Sequence, residues 1–160
     1  AWSPDGQQLL TAAINDTLRL WDVKRRSVRR TMVRPNEPML DAEFSPDGRF
    51  FVTASPITYH AVLFDTAGTA LPLVGHKNEI LALAVDPGGR RIVTAARDAG
   101  IWTWMRQQPL KATLPARWDG ALWRGDVSAL AVSPDARTLA IGTRGGAVVS
   151  YAIDDPRRVV

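Results

Sequence analysis

The feature that most constrains this chain is a turn that returns at a nearly constant interval. Ser3-Pro4-Asp5-Gly6, Ser45-Pro46-Asp47-Gly48, Asp86-Pro87-Gly88-Gly89 and Ser133-Pro134-Asp135-Ala136 place their prolines 42, 41 and 47 residues apart. Each reads as a hairpin turn with a mechanism. Pro presets φ at the first central position, Asp bonds back to the nearby backbone, and Gly accepts a positive φ. Ala136 stands where that Gly belongs, so the fourth turn is expected to be strained or of another type.

Short runs of apolar and β-branched residues flank every turn, such as Leu81 to Val85 before the third and Ile92 to Ala96 after it. Runs of this length bounded by Pro, Asp and Gly are strands. The nearly continuous apolar character of Leu81–Val85 predicts burial on both faces, as in an inner strand wedged between two sheets. No stretch joins a capping residue to helical apolar spacing over three turns. The expectation is an all-β chain of fifteen or sixteen short strands in four repeats. A period near 42 residues fits a four-stranded β-propeller blade rather than a helical repeat. The whole of 1–160 is read as one domain, with blade cores about 1–33, 39–74, 80–115 and 127–160.

Composition narrows the function classes. The chain has no Cys and only two His, His60 and His76, which excludes disulfides and leaves little for a metal. No apolar run approaches the roughly 18 residues that a spanning helix needs. The net charge of +4 comes mainly from Arg, but acidic residues are interspersed throughout, which favours a solvated basic surface over a polyanion-binding one. There is no nucleophile elbow, phosphate-binding glycine loop or dinucleotide fingerprint. No catalytic residue, cofactor or metal site is expected, and a Cys-free chain without a leader pattern is read as cytoplasmic.

Leu18-Arg19-Leu20-Trp21-Asp22 resembles the Trp-Asp ending of WD40 repeats, and Gly75-His76 resembles the pair that opens one. On these motifs the chain is similar to the WD40 β-propeller family, and the resemblance extends over four units. It implies a hydrogen-bonded structural tetrad in the third unit, made of His76, Thr94, Asp98 and Trp104. In series, an imidazole, a hydroxyl, a carboxylate and an indole N–H satisfy one another when buried. That reading displaces a catalytic triad built on His76 and Asp98. The other units depart from the pattern: Asn15 stands for Asp in the first, Phe64 for Trp in the second, and Tyr151 for Trp with Gly145 for Asp in the fourth.

Propellers of this family close as rings, and a seven-bladed one needs about 290 residues. Four blades therefore imply an open or partial ring. The missing blades would be supplied by the rest of a longer, bacterial WD40-repeat protein or, less simply, by a second copy. The resemblance implies a non-catalytic scaffold that mediates protein–protein interactions, the sensing or scaffolding region of a multidomain protein. Two alternatives stand beside it. One is an enzymatic propeller, a hydrolase or lyase with its site in absent blades. The other is nucleic-acid binding through Lys24-Arg25-Arg26 with Arg29-Arg30, a cluster read mainly as a charged edge strand that blocks edge pairing.

The partner-binding face is expected at the tight turns around Tyr59, His60, Arg97 and Arg144. It would include the long connection from Pro115 to Asp126, with Arg117, Trp118, Trp123 and Arg124. Trp and Arg dominate binding hot spots. The partner is a protein or peptide of unspecified identity; nucleic acid and membrane are not expected.

Overall fold

The computed structural model describes residues 1–39, 41–98, 100–107, 111–112, 116–119 and 127–160, with backbone alone for 111–112, 116–119 and 156–157. Every regular element among them is a strand. The first sheet holds β1 (Gln8–Ala13), β2 (Thr17–Asp22) and β3 (Ser27–Val33). The second holds β4 (Asp41–Phe44), β5 (Phe50–Ala54), β6 (Ala61–Asp65) and β7 (Ala70–Leu73). The third holds β8 (Ile80–Val85), β9 (Arg91–Ala96), β10 (Gly100–Gln107), β11 (Lys111–Ala112) and β12 (Ala116–Asp119). The fourth holds β13 (Val127–Val132), β14 (Thr138–Thr143), β15 (Val148–Ala152) and β16 (Asp155–Val159). All pairs are antiparallel and join strands consecutive in the chain, except that β12 pairs with β10, and Trp2 makes an isolated antiparallel bridge to Leu9. This is the all-β, blade-by-blade arrangement expected of WD40-type repeats.

The turns explain the register. In the first, second and fourth, the fourth residue donates its amide to the carbonyl of the Ser three positions earlier, at 2.8–2.9 Å. The Ser hydroxyl bridges the Asp carboxylate and the strand that follows, as in Ser45 to Asp47 at 2.6 Å and Phe50 N–H to Ser45 Oγ at 3.1 Å. Asp86 replaces Ser in the third turn, and its carboxylate takes the amides of Arg90 and Arg91 instead. Gly6, Gly48 and Gly89 have φ near +65°, and Ala136 adopts the same left-handed conformation at 58°. The fourth turn is thus the same turn, held with a Cβ where the backbone disfavours one.

The core lies between sheets rather than within one. Leu10, Leu18 and Leu20 pack against Phe44, Phe51 and Phe64 between the first and second sheets. Phe50, Val52 and Leu63 meet Leu83, Ile92 and Trp104 between the second and third. Val93 and Ile101 meet Leu139, Ile141 and Tyr151 between the third and fourth. Strand β8 is buried almost throughout, as its apolar run predicts, whereas β13 alternates because only one of its faces has a neighbouring sheet.

One expectation needs correction. The stretch from Pro115 to Asp126 is not a loop throughout, because Ala116–Asp119 forms β12. Arg117 pairs with Trp102 and Trp118 with Ile101 in its register against β10. The third sheet therefore extends past residue 115. Strand β10 is eight residues long, and its outer edge carries backbone groups that need partners along that whole length. Two short segments meet the need: β11 at Arg106–Gln107 and β12 at Gly100–Thr103.

A buried polar tie and a candidate docking surface

Hairpin geometry brings four polar side chains of the third sheet together. The segment before β8 carries His76, β9 carries Thr94, the β9–β10 turn carries Asp98, and β10 carries Trp104. Trp104 lies opposite Ile92 in register, so its indole reaches Thr94 on the diagonal, and its N–H donates to Thr94 Oγ1 at 3.0 Å. Thr94 Oγ1 lies 2.8 Å from His76 Nε2, and His76 Nδ1 lies 3.2 Å from both Asp98 oxygens. Each group is satisfied when His76 carries its proton on Nδ1. Nδ1–H then donates to Asp98, Thr94 O–H donates to Nε2, and Trp104 N–H donates to Thr94. Burial pushes the Asp98 carboxyl up, but the Lys77 and Gly100 amides and the His76 ring outweigh it and hold it below the ordinary range.

A further residue belongs to this cluster. Trp102 stacks on Trp104 with ring centroids 5.6 Å apart and lies 5.3 Å from the His76 ring. A Cβ on Gly75 would sit 2.3 Å from the Trp102 ring. Gly before His76 is thus a steric requirement, which the Gly75-His76 dipeptide alone does not reveal.

The other sheets keep only parts of the tie. In the first, Trp21 N–H donates to Thr11 Oγ1 at 2.9 Å. In the second, Phe64 occupies the Trp position and stacks on Phe51 at 5.1 Å. Thr53, equivalent to Thr94, is left with a buried hydroxyl that has no hydrogen-bond partner.

The strand directions define two ends of the sheets: the Pro-turn end, and an opposite end marked by His76. Tyr59, His60, Arg97 and Arg144 all lie at the His76 end. Tyr59 is exposed at a positive φ of 61°, and Arg144 is exposed. Arg97 pairs with Glu79 at 3.2 Å, and His60 lies 3.7 Å from Glu37, which also binds Arg34. Arg117 and Trp118 lie on β12, an outer strand, instead of on a loop. Trp123 and Arg124 lie outside the described residues.

The same end carries apolar side chains that the sequence reading passed over. Ile14 is 77% exposed, Ile57 64% and Val148 77%, at or next to the tight turns that join β1 to β2, β5 to β6 and β14 to β15. Val33 and Val74 are exposed at the same end. The available signal was an apolar residue where a solvent-facing turn ordinarily carries a polar one. The inner strands hold Asp41 and Glu43. Burial pushes the Glu43 carboxyl up to about 7, Asp41 adds to this, and the Val85 amide opposes it. Among the described residues no three His, Cys, Asp or Glu side chains converge as metal ligands.

Residues 1–22 and 69–104 match the family model for the WD domain, G-beta repeat. The chain is 30% identical over 104 residues to COMPASS component SWD3 of Saccharomyces cerevisiae, covering 64% of this chain and 32% of that protein. It is 29% identical over 97 residues to protein HIR1 of Cryptococcus neoformans, covering 54% and 11%. It is 28% identical over 96 residues to the retinoblastoma-binding protein 5 homolog of Drosophila melanogaster, covering 59% and 19%. The chain thus spans a third or less of the length of each of these relatives.

Proposed function

From the premise that the chain carries WD40-type repeats, we propose that it is a non-catalytic scaffold whose His76 end receives a protein partner. The observation that carries this reading is the gathering of Ile14, Ile57, Tyr59 and Val148 at that end on tight turns of three different sheets. Exposed apolar patches on a rigid β scaffold, rimmed by charges such as Arg97 and Arg144, are the ordinary makings of a protein interface. The relatives support it by their names, one a component of a complex and one a binding-protein homolog.

The proposal includes a larger host protein with further blades. Ala129 and Ala131 on β13 and Trp2 beside β1 remain exposed on sheet faces that a neighbouring blade would cover. A bacterial origin, which rests on the likeness of the uneven, Arg-rich repeats to bacterial WD40 regions, and a cytoplasmic location, which rests on the Cys-free composition, belong to the same proposal; the relatives named above are all eukaryotic.

The test is quantitative co-purification with the full-length protein from its native cells. Ile57→Ser with Tyr59→Ser should deplete stoichiometric partners while leaving the melting temperature unchanged. Trp123→Ala and Arg124→Ala report whether the connection before β13 adds to the surface. Full retention of every partner by the Ile57/Tyr59 variant would refute the docking end.

A further inference from the structure

At the Pro-turn end, far from that surface, two hollows adjoin and share Gln8. The first, of about 470 Å³, is lined by Gln7, Gln8, Asp22, Lys24, Arg25 and Arg29. Its three cations outnumber its single carboxylate, for a net charge of +2 (3 − 1). Arg25 is pinned there by Asp22, which accepts its backbone amide at 2.8 Å and its guanidinium at 3.0 Å. Lys24 and Arg29 have no ion pair among the described residues. The second hollow, of about 360 Å³, lies between two Pro turns and is lined by Asp5 and Asp47 with Ser3, Pro4, Pro46 and Gly48. Arg49 lies 4.0 Å from Asp47, whereas Asp5 has no cationic partner among the described residues. Gln8, between the hollows, has a buried side-chain oxygen without a hydrogen-bond partner.

We propose that these paired hollows bind a peptide segment carrying a phosphorylated serine or threonine with a lysine or arginine close by. Lys24, Arg25 and Arg29 hold the phosphate, and Asp5 holds the basic side chain. A phosphomonoester brings a charge of about −1.5 to −2 and three acceptor oxygens, which suits a hollow lined by three cations and one carboxylate better than a singly charged carboxylate ligand does. Asp5, which has no cationic partner among the described residues, gives the peptide's basic side chain a counter-charge that a free phosphate ion cannot use. A nucleic-acid backbone fits less well, because its next phosphate would run into the acidic hollow beside Gln8. A merely edge-blocking role for the cluster would leave the hollow and its acidic neighbour unexplained. Arg30, next along β3, points instead toward Gly68 of the second sheet and is not part of the site.

The experiment is fluorescence anisotropy on the full-length protein with a labelled peptide of sequence Ala-Ala-phosphoserine-Ala-Lys-Ala. Its unphosphorylated form, a form with Ala for Lys, inorganic phosphate and a short single-stranded oligonucleotide serve as competitors. The phosphorylated peptide should bind at least ~10-fold more tightly than the unphosphorylated one. Lys24→Glu with Arg29→Glu should weaken it at least ~10-fold without lowering the melting temperature, since both side chains are exposed. Asp5→Asn should weaken only the Lys-bearing peptide. Inorganic phosphate should compete only at far higher concentration, because it lacks the peptide contacts. Binding blind to phosphorylation, indifference to the charge reversal, or tighter binding of the oligonucleotide would each overturn the proposal. The partners lost through Ile57 and Tyr59 report on the opposite end, so the two readings fail independently.

Discussion

Thr53 and Thr94 occupy equivalent positions in the second and third sheets, and the same substitution should move stability in opposite directions at the two. Thr94→Val removes the hydroxyl that links Trp104 Nε1 and His76 Nε2, at 3.0 and 2.8 Å. The Trp104 indole N–H and the His76 ring each lose that hydrogen bond, at a cost of ~1–2 kcal/mol each, or ~2–4 kcal/mol together. Thr53→Val removes a hydroxyl that is buried and already unpartnered, on the face of β5 that also carries Phe51 and lies opposite Val62 of β6. Replacing it by a methyl of similar size should stabilise by ~1 kcal/mol. For a cooperative unit of this size, each kcal/mol moves the melting temperature by ~2–4 °C. Differential scanning calorimetry at pH 7 should therefore show a fall of ~4–16 °C for Thr94→Val and a rise of ~2–4 °C for Thr53→Val. Shifts of the same sign, or a Thr94→Val protein that melts like the parent, would refute the description of the tie as a closed chain of donors and acceptors.

Two further outcomes follow from the turns and the inner strands. Ala136 holds a left-handed φ of 58°. Relief of ~1–2 kcal/mol of strain, less the ~0.4–1 kcal/mol entropy cost of Gly, makes Ala136→Gly stabilising by ~0.5–1 kcal/mol in urea denaturation. Glu43 keeps its proton in the folded chain up to about 7 against an ordinary 4.5, so stability should fall as pH rises between those values and level off above them. Glu43→Gln should flatten that decline and, allowing for partial solvation, gain ~1–2 kcal/mol at pH 8 and nothing near pH 4. Equal gains at both pH values would contradict this origin.

What the chain discloses before folding depends on whether a feature is local. The Pro turns are local: Ser, Pro, Asp and Gly each act within four residues, and the hydrogen bonds at Ser3, Ser45 and Ser133 follow directly. The tie at His76, Thr94, Asp98 and Trp104 is legible only through the resemblance to WD40 repeats, and two hairpins then bring its members within hydrogen-bond reach. The pairing of β12 with β10 is not local. It answers a demand for partners along the edge of β10, which the composition of Ala116–Asp119 does not announce. Exposure at Ile14, Ile57 and Val148 is likewise set by which end of the sheets a turn occupies. The role of Gly75 depends on where the Trp102 ring comes to rest. The hollow at Lys24, Arg25 and Arg29 needs Gln7 and Gln8 beside it, and their placement is decided by the register of β1 on β2. The charges alone look the same on any solvated edge.

The uneven distribution of the polar tie has a consequence for how the arc comes apart. The third sheet has covered faces on both sides and an internal clamp, so its amides should be the last to exchange with solvent. The second sheet shares two cores but carries an idle hydroxyl in place of the clamp. Between these two neighbours, local opening should therefore reach the second sheet before the clamp around Trp104. A ligand seated between the first and second Pro turns would then tie the first sheet to the second, and its occupancy would be readable as slowed exchange in β1 and β2.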